Sequence, residues 1–179
     1  MEFEKVNLSD FNFKPFSILA NDWALLVAGN LQNHNAMTIS WGGFGVLWNK
    51  LIAFVFVRPQ RFTRTFLENT SHFSLNFFDE KFRYALEFCG ANSGKDVNKD
   101  AKTGLKAREF DNTVGYEQAK LVFVCKKLYV SQFNKSKFLN SKLVDDFYVK
   151  SDVNFNYDFD FHFVYLAEIE NVYSSKNNN

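Results

Sequence analysis

The sequence predicts a mainly β domain, an antiparallel β-barrel with peripheral helices, and three observations predict it. From Asp158 to Tyr173 the chain alternates with period two, setting Phe159, Phe161, Phe163, Tyr165, Ala167 and Ile169 against Asp160, His162 and Glu168. About six strand-like runs stand beside two or three short helical ones, without the βαβ rhythm of a Rossmann fold. Gly42, Gly43 and Gly45 interrupt a strand pattern, as at a bulge or where backbone lies against a ligand.

Taken in order, the chain opens with a Phe-spaced polar segment, Phe11, Phe13 and Phe16, ending near Pro15. A strand follows at Ala24 to Gly29, then an Asn-rich turn from Asn30 to Asn35. Ala36 to Trp48 reads as one glycine-broken strand. Leu51 to Val57 is continuous, β-branched and aromatic, which predicts a strand buried on both faces. Pro59 opens a helix over Gln60 to Asn69, with Phe62, Phe66 and Leu67 on one face. His72 to Phe78 alternates strictly and predicts a half-buried strand. Glu80 to Cys89 returns to helical spacing. The polar stretch from Gly90 to about Gly115 exceeds the usual length of a structureless connection, so it is expected to be functional, partly ordered or both. Lys120 to Ser131 reads as a strand and Asn134 to Tyr148 as a short helix or irregular excursion.

The 179 residues are read as a single domain, 1–179, with a core over about 20–171 and a frayed polar tail at 174–179. A net charge of +1 gives no electrostatic case for nucleic acid or for an anionic membrane surface. The longest wholly apolar run, Leu51 to Val57, is far short of a membrane span, and the acidic start is not a signal peptide. A cytoplasmic, soluble protein is therefore expected. Phe contributes 23 residues; with Asn and Lys, which share its AT-rich codons, it makes up about a third of the chain. Genome composition is the plain explanation for most of that excess. Cys89 and Cys125 read as buried packing residues. The three histidines are far apart, and no Cys/His/Asp spacing matches a metal site.

Three segments carry possible binding chemistry. Arg58, Arg61 and Arg64 fall where a buried strand ends and a helix starts, where unpaired N–H groups favour an anion. Their guanidinium forks match phosphate oxygens, and Thr63 adds a hydroxyl; the alternative is an ordinary solvated helix face. Gly90-Ala91-Asn92-Ser93-Gly94-Lys95-Asp96 superficially matches a nucleotide phosphate loop. Its spacing is one residue short, Asp96 replaces the magnesium-binding hydroxyl, and it follows a helix. A nucleoside-triphosphatase is thereby rejected, although such a loop can still donate to a phosphate or ribityl chain. Asn35 to Gly45 gathers small polar side chains, three glycines and Trp41 on one strand. Such a strand can lie along a flat ring with Trp41 as an apolar wall; a glycine-kinked core strand is the alternative.

Together these segments resemble the flavin reductase-like family of FMN-binding proteins, and its flavoredoxin branch most closely. The resemblance rests on Asn35-Ala36-Met37-Thr38-Ile39-Ser40-Trp41-Gly42-Gly43-Phe44-Gly45-Val46-Leu47-Trp48-Asn49-Lys50 and on Arg58-Pro59-Gln60-Arg61-Phe62-Thr63. It continues through Phe88-Cys89-Gly90-Ala91-Asn92-Ser93-Gly94-Lys95-Asp96 to Ala167-Glu168-Ile169 and covers roughly residues 20–171. It implies an FMN-binding split β-barrel, a homodimer with FMN near the subunit interface, and NAD(P)H or a redox protein as electron donor. By position, Asn35, Met37, Thr38, Ser40 and Trp41 are expected along the isoalloxazine. Arg58, Arg61, Thr63, Ser93, Gly94 and Lys95 are expected at the phosphate end, with Lys99 a further candidate. The implied activity is that of a flavin reductase or flavoredoxin-like oxidoreductase; the alternative is an FMN-binding electron carrier with little turnover of its own. Thr38 or a backbone N–H is expected to tune the flavin. Catalytic residues are not singled out.

Three positions depart from the family pattern. Leu51 stands where the family writes Pro after Asn-Lys, Lys95 where it often writes Arg, and Ala167 where it usually writes Gly. At Lys95 a bidentate fork is exchanged for a point charge.

Overall fold

The computed structural model describes residues 2–8, 14–148 and 159–176. Phe11, Phe13, Asp158 and the last three residues of the polar tail lie outside the described residues.

Ten strands and five α-helices are found among them. The strands β2 (Ala24–Gly29), β3 (His34–Ile39), β4 (Gly42–Leu47), β5 (Lys50–Val57), β6 (His72–Phe77), β9 (Leu121–Gln132) and β10 (Phe163–Ser175) form one antiparallel sheet. Its order is β3-β2-β6-β9-β10-β5-β4. The single glycine-broken strand expected over Ala36 to Trp48 is therefore two strands at opposite ends of the sheet. Gly42, at φ +143°, leaves the preceding strand's path, and its Cα abuts the Phe54 carbonyl so closely that an added Cβ would lie 2.4 Å from that oxygen. A two-residue turn at Trp48-Asn49, both with positive φ, then folds β4 onto β5 as a hairpin.

Inward side chains from both ends of the sheet meet in one core: Met37 of β3, Leu26 of β2, Phe73 and Leu75 of β6, Phe123 of β9, Tyr165 of β10 and Val55 of β5. A flat sheet would keep β3 and β5 apart, so the sheet curls round this core. A second core lies on the outer face of β2, β6 and β9. There α3 (Arg83–Ala91) and the hairpin β7 (Ala107–Phe110) and β8 (Thr113–Tyr116) pack over Leu25, Val27, Val122 and Val124.

That second layer explains why β6 is buried along its whole length rather than on one face. Its polar side is covered and paired: Ser74 donates to the Val114 carbonyl at 2.5 Å, and Asn76 accepts from the Tyr116 N–H at 2.9 Å. Conversely, β5 is less buried than expected, with Leu51 41% exposed at the hairpin end and Phe54 and Phe56 half-buried on the outer face. The strand β10 begins at Phe163, so Phe159 and Phe161 precede it. Its first half pairs with β5 and its last turns with β1 (Phe3–Val6), a strand the polar N-terminus did not predict. Ala167 is fully buried between Ala53 and Lys127, so its extra methyl is accommodated.

The helix α2 (Thr63–Asn69) begins three residues later than the Gln60 expected, after a turn closed by the Arg61 N–H on the Arg58 carbonyl. The long segment after α3 is ordered, carrying α4 (Lys99–Thr103) and the β7–β8 hairpin. The remaining helices are α1 (Pro15–Ala20) and α5 (Lys142–Phe147). No helix among the described residues is long and apolar enough to cross a membrane.

Candidate ligand-binding site

The edge strand β3 positions the site, because one row of its backbone groups has no strand partner among the described residues. Helix α3 packs on it, with the Thr38 hydroxyl donating to the Leu86 carbonyl and Gly90 set against Thr38. An added Cβ at Gly90 would stand 3.3 Å from the Thr38 side chain, so helix and strand approach closely. The loop leaving α3 therefore emerges beside β3. Gly94 in that loop rests on Asn35, where a Cβ would fall 1.9 Å from Oδ1. Asn35 in turn donates to the Thr63 hydroxyl at 2.7 Å, tying β3 to the first residue of α2.

Between these three segments lies a cavity of about 360 Å³, lined among others by Asn35, Met37, Arg61, Thr63, Ser93 and Gly94. That volume is in the range of small-molecule sites. Met37, Arg58 and Arg61 also line an adjoining cavity of about 200 Å³ with Thr38, Ser40, Trp41, Phe56 and His162. The two make one groove with contrasting ends. The first is rich in cationic, hydroxyl and amide groups, the second in aromatic walls. Lys95 lines neither; it borders a third, polar cavity of about 380 Å³ on the far side of Asn35, Gly94 and Lys99.

Arg61 is the charge that defines the first end. Its Nη1 donates to the Gly90 carbonyl at 2.7 Å, and it makes no ion pair with a carboxylate among the described residues. Burial and then the neighbouring Arg58 guanidinium push its pKa down from the ordinary arginine value, a sign that the charged form lacks compensation. A half-buried guanidinium in that position is stabilised by an anion in the groove.

The other two arginines are differently engaged. Arg58 pairs with Asp160, donates to the Phe147 carbonyl at 2.6 Å and packs over the Tyr148 ring, so it lines the groove with its charge already balanced. Arg64 is turned away from the groove. It reaches one helical turn along α2 to Glu68 and lies 4.5 Å from the Phe163 ring centroid. The three arginines are thus not gathered at one anion site: close spacing in sequence spans the corner at Pro59, and the chain changes direction between them.

Lys99 is nearly buried, and its ammonium donates to the carbonyls of Ala36 and Cys89 at 2.7 and 2.8 Å. It braces the floor of the groove rather than projecting into it. Burial lowers its pKa. Lys95 is exposed, over the Phe62 ring. The Thr38 hydroxyl spends its proton on Leu86, so tuning a ring by hydroxyl donation is closed to it. Cys89 and Cys125 are fully buried, and burial pushes the Cys89 thiol up to about 11. Both are packing residues.

His162, Phe56, Gln60 and Asn92 line the groove without having stood out in the sequence. His162 Nδ1 lies 3.0 Å from the Tyr148 hydroxyl, and the ring also walls the aromatic end, its centroid 5.6 Å from that of Trp41. Burial, then Arg58, push its pKa down to about 4, so the ring is neutral at pH 7.

No family model matches the chain, and no curated protein matches it in sequence. Solved structures do match it. One is an FMN-binding domain of a flavin reductases-like enzyme from Shewanella baltica OS155, with TM-score 0.66 and 16% identity, covering 97% of this chain and 77% of the other. The chain has the split β-barrel fold of FMN-binding flavin reductase-like proteins. Flavoredoxin from Methanosarcina acetivorans is similar at TM-score 0.65 and 18% identity, over 97% of this chain and 76% of that one. A flavin reductase with a split barrel domain from Shewanella frigidimarina matches at TM-score 0.65 and 15% identity, over 91% and 73%. In the split barrel, the ends of the sheet path described above, β3 and β4, are consecutive in the chain.

Proposed function

We propose that this protein binds FMN and works as an oxidoreductase of the flavin reductase or flavoredoxin type, taking hydride or electrons from NAD(P)H or a protein donor. The observation that carries this reading is Arg61, half-buried without a carboxylate at the polar end of a groove whose other end is aromatic. The groups present fit FMN. A phosphate would meet the Arg61 fork, the Thr63 and Ser93 hydroxyls and the backbone at Gly94, which has no Cβ to obstruct it. A flat ring would lie against Met37, Ser40 and Trp41, with neutral His162 at its margin. Bound FMN supplies a ring that accepts a hydride and passes electrons on singly or in pairs.

The chain's own residues bind, orient and exclude water. Arg61 and the hydroxyls hold the dianion. Trp41 and Phe56 wall the ring end, and the Tyr148 hydroxyl fixes the ring of His162. With Thr38 donating to Leu86, the electronic environment of the ring falls to backbone groups of the edge strand β3.

The carrier reading has its own support: Trp41 is 46% exposed, so a redox protein can approach the ring end. Spectra of the FMN-loaded protein after NADH and then NADPH separate the two. Bleaching by a nicotinamide favours the reductase, and flavin that stays oxidised until a reducing protein is supplied favours the carrier.

The proposal extends to a homodimer through the β4–β5 hairpin. Val46, Trp48 and Leu51 are apolar and exposed there beside an edge strand. Light scattering coupled to gel filtration should give twice the 20.9 kDa chain mass. A monomer at micromolar concentration contradicts it.

A further inference from the structure

The third cavity is lined by His34 and Asp100, which the proposed chemistry does not use and which meet Tyr116 behind it. His34 opens β3, Asp100 lies on α4 and Tyr116 on β8. His34 Nε2 is 2.8 Å from one Asp100 carboxylate oxygen, and the Tyr116 hydroxyl donates to the other at 2.7 Å. The second ring nitrogen of His34, Nδ1, is 3.1 Å from the Asn30 carbonyl. Both nitrogens therefore face oxygens that accept, and a carbonyl has no proton to offer. Two donors on one imidazole means imidazolium.

This ion pair sits one residue from Lys99. The Lys99 ammonium clamps the Ala36 carbonyl of β3 to the Cys89 carbonyl of α3, and α4 is capped by Asn98, which accepts from the Ala101 N–H at 3.0 Å. The loop of Ser93, Gly94 and Lys95 is thus anchored at one end by α3 and at the other by α4. We propose that His34 and Asp100 are positioning residues for the anion-holding loop, a proton-dependent latch that pins α4 to β3 and keeps Gly94 seated against Asn35. The phosphate end of this latch rests on the FMN reading; the latch itself does not.

The charges agree with the geometry. The hydrogen bond to Asp100 raises the pKa of His34 against the opposing effect of burial. Burial alone would raise Asp100, but hydrogen bonds from His34 and Tyr116 outweigh it and hold its carboxyl below the ordinary value. Tyr116 is raised by burial and remains a phenol. The other titratable groups around the pair are Lys99 from α4, Cys89 from α3, and Lys95 and Asp96 from the loop. The signs follow. A raised histidine contributes fully below its unfolded value and loses that contribution as pH climbs through the folded one. A lowered carboxyl loses its contribution as pH falls through its own folded value. The latch is closed between the two and opens on the alkaline side.

Two measurements on the intact protein test this. The first needs no flavin: an NMR titration of the His34 ring together with the amides of Ser93, Gly94 and Lys95. The ring should hold both protons beyond the ordinary histidine value of about 6.5, and Asp100→Asn should lower its midpoint. The loop amides should shift with the same midpoint. A ring that titrates at or below the ordinary value, or loop amides indifferent to it, overturns the proposal. The second is FMN affinity, by flavin fluorescence, from pH 6 to 9. Relative to His34→Gln, which shares the ionisation of the FMN phosphate, the wild-type dissociation constant should rise more steeply with pH. Equal slopes in the two proteins overturn it. Should neither protein bind FMN while the ring and amides titrate together, the latch stands and the FMN reading fails.

Discussion

Arg61 is where a single substitution speaks most directly to the site. Arg61→Ala should weaken FMN binding by about 1.5–3 kcal/mol, the value of a hydrogen bond to a charged group. Arg64→Ala should leave affinity unchanged, because Arg64 reaches Glu68 and the Phe163 ring instead. Fluorescence titrations of both variants measure the contrast, and equal losses would contradict the geometry. A methyl at Gly94 would sit 1.9 Å from Asn35 Oδ1, so Gly94→Ala must move Asn35 and break its bond to Thr63. A loss of about 0.5–1.5 kcal/mol in FMN affinity is expected in the same titration. At this scale the sequence was informative about residue type and less so about direction. Arginine near a strand end announces anion chemistry, but whether a fork enters the groove or pairs with Asp160 or Glu68 depends on partners far away in the chain. Lys99 is the sharpest case. A lysine in a polar loop reads as a ligand contact, and only the packing of α4 against β3 shows it clamping two carbonyls.

At the scale of elements, the clamp predicts a stability effect. Lys99→Met keeps much of the side-chain volume but strips the donors from the buried Ala36 and Cys89 carbonyls. Chemical denaturation should show a loss of about 1–3 kcal/mol, the cost of leaving buried acceptors unmade. An unchanged midpoint would mean that water replaces the ammonium. The strands themselves were largely legible, since β2, β6 and β9 lie close to where their periodicity put them. What periodicity could not supply was the second layer. The alternation of β6 correctly separates Phe73, Leu75 and Phe77 from His72, Ser74 and Asn76, yet both sets are buried. The β7–β8 hairpin that covers Ser74 and Asn76 arises from the long polar segment, in which no strand was expected. Likewise the Ala36 to Trp48 run gave its residue types but not its break, because the positive φ of Gly42 and the Trp48-Asn49 turn are decided by pairing with β5.

For the whole molecule, the fold places one curved sheet around a Phe-rich core and leaves an edge strand, a helix start and a loop to meet at one rim. Within the main core Phe77 and Phe123 pack with ring centroids 5.2 Å apart, and Phe44 of β4 packs against Phe123 at 5.5 Å. Phe44 thereby joins β4 to the interior. Phe123→Ala should cost about 3–5 kcal/mol, read from denaturation, because it removes the ring shared by both contacts. Function at this scale turns on whether the groove holds a flavin. The most direct measurement is a visible absorbance spectrum of the purified protein, taken before and after addition of FMN and removal of the excess by gel filtration. The predicted result is a flavin spectrum that co-elutes with the protein and is lost or weakened in Arg61→Ala. A protein that stays colourless after FMN addition would contradict the account.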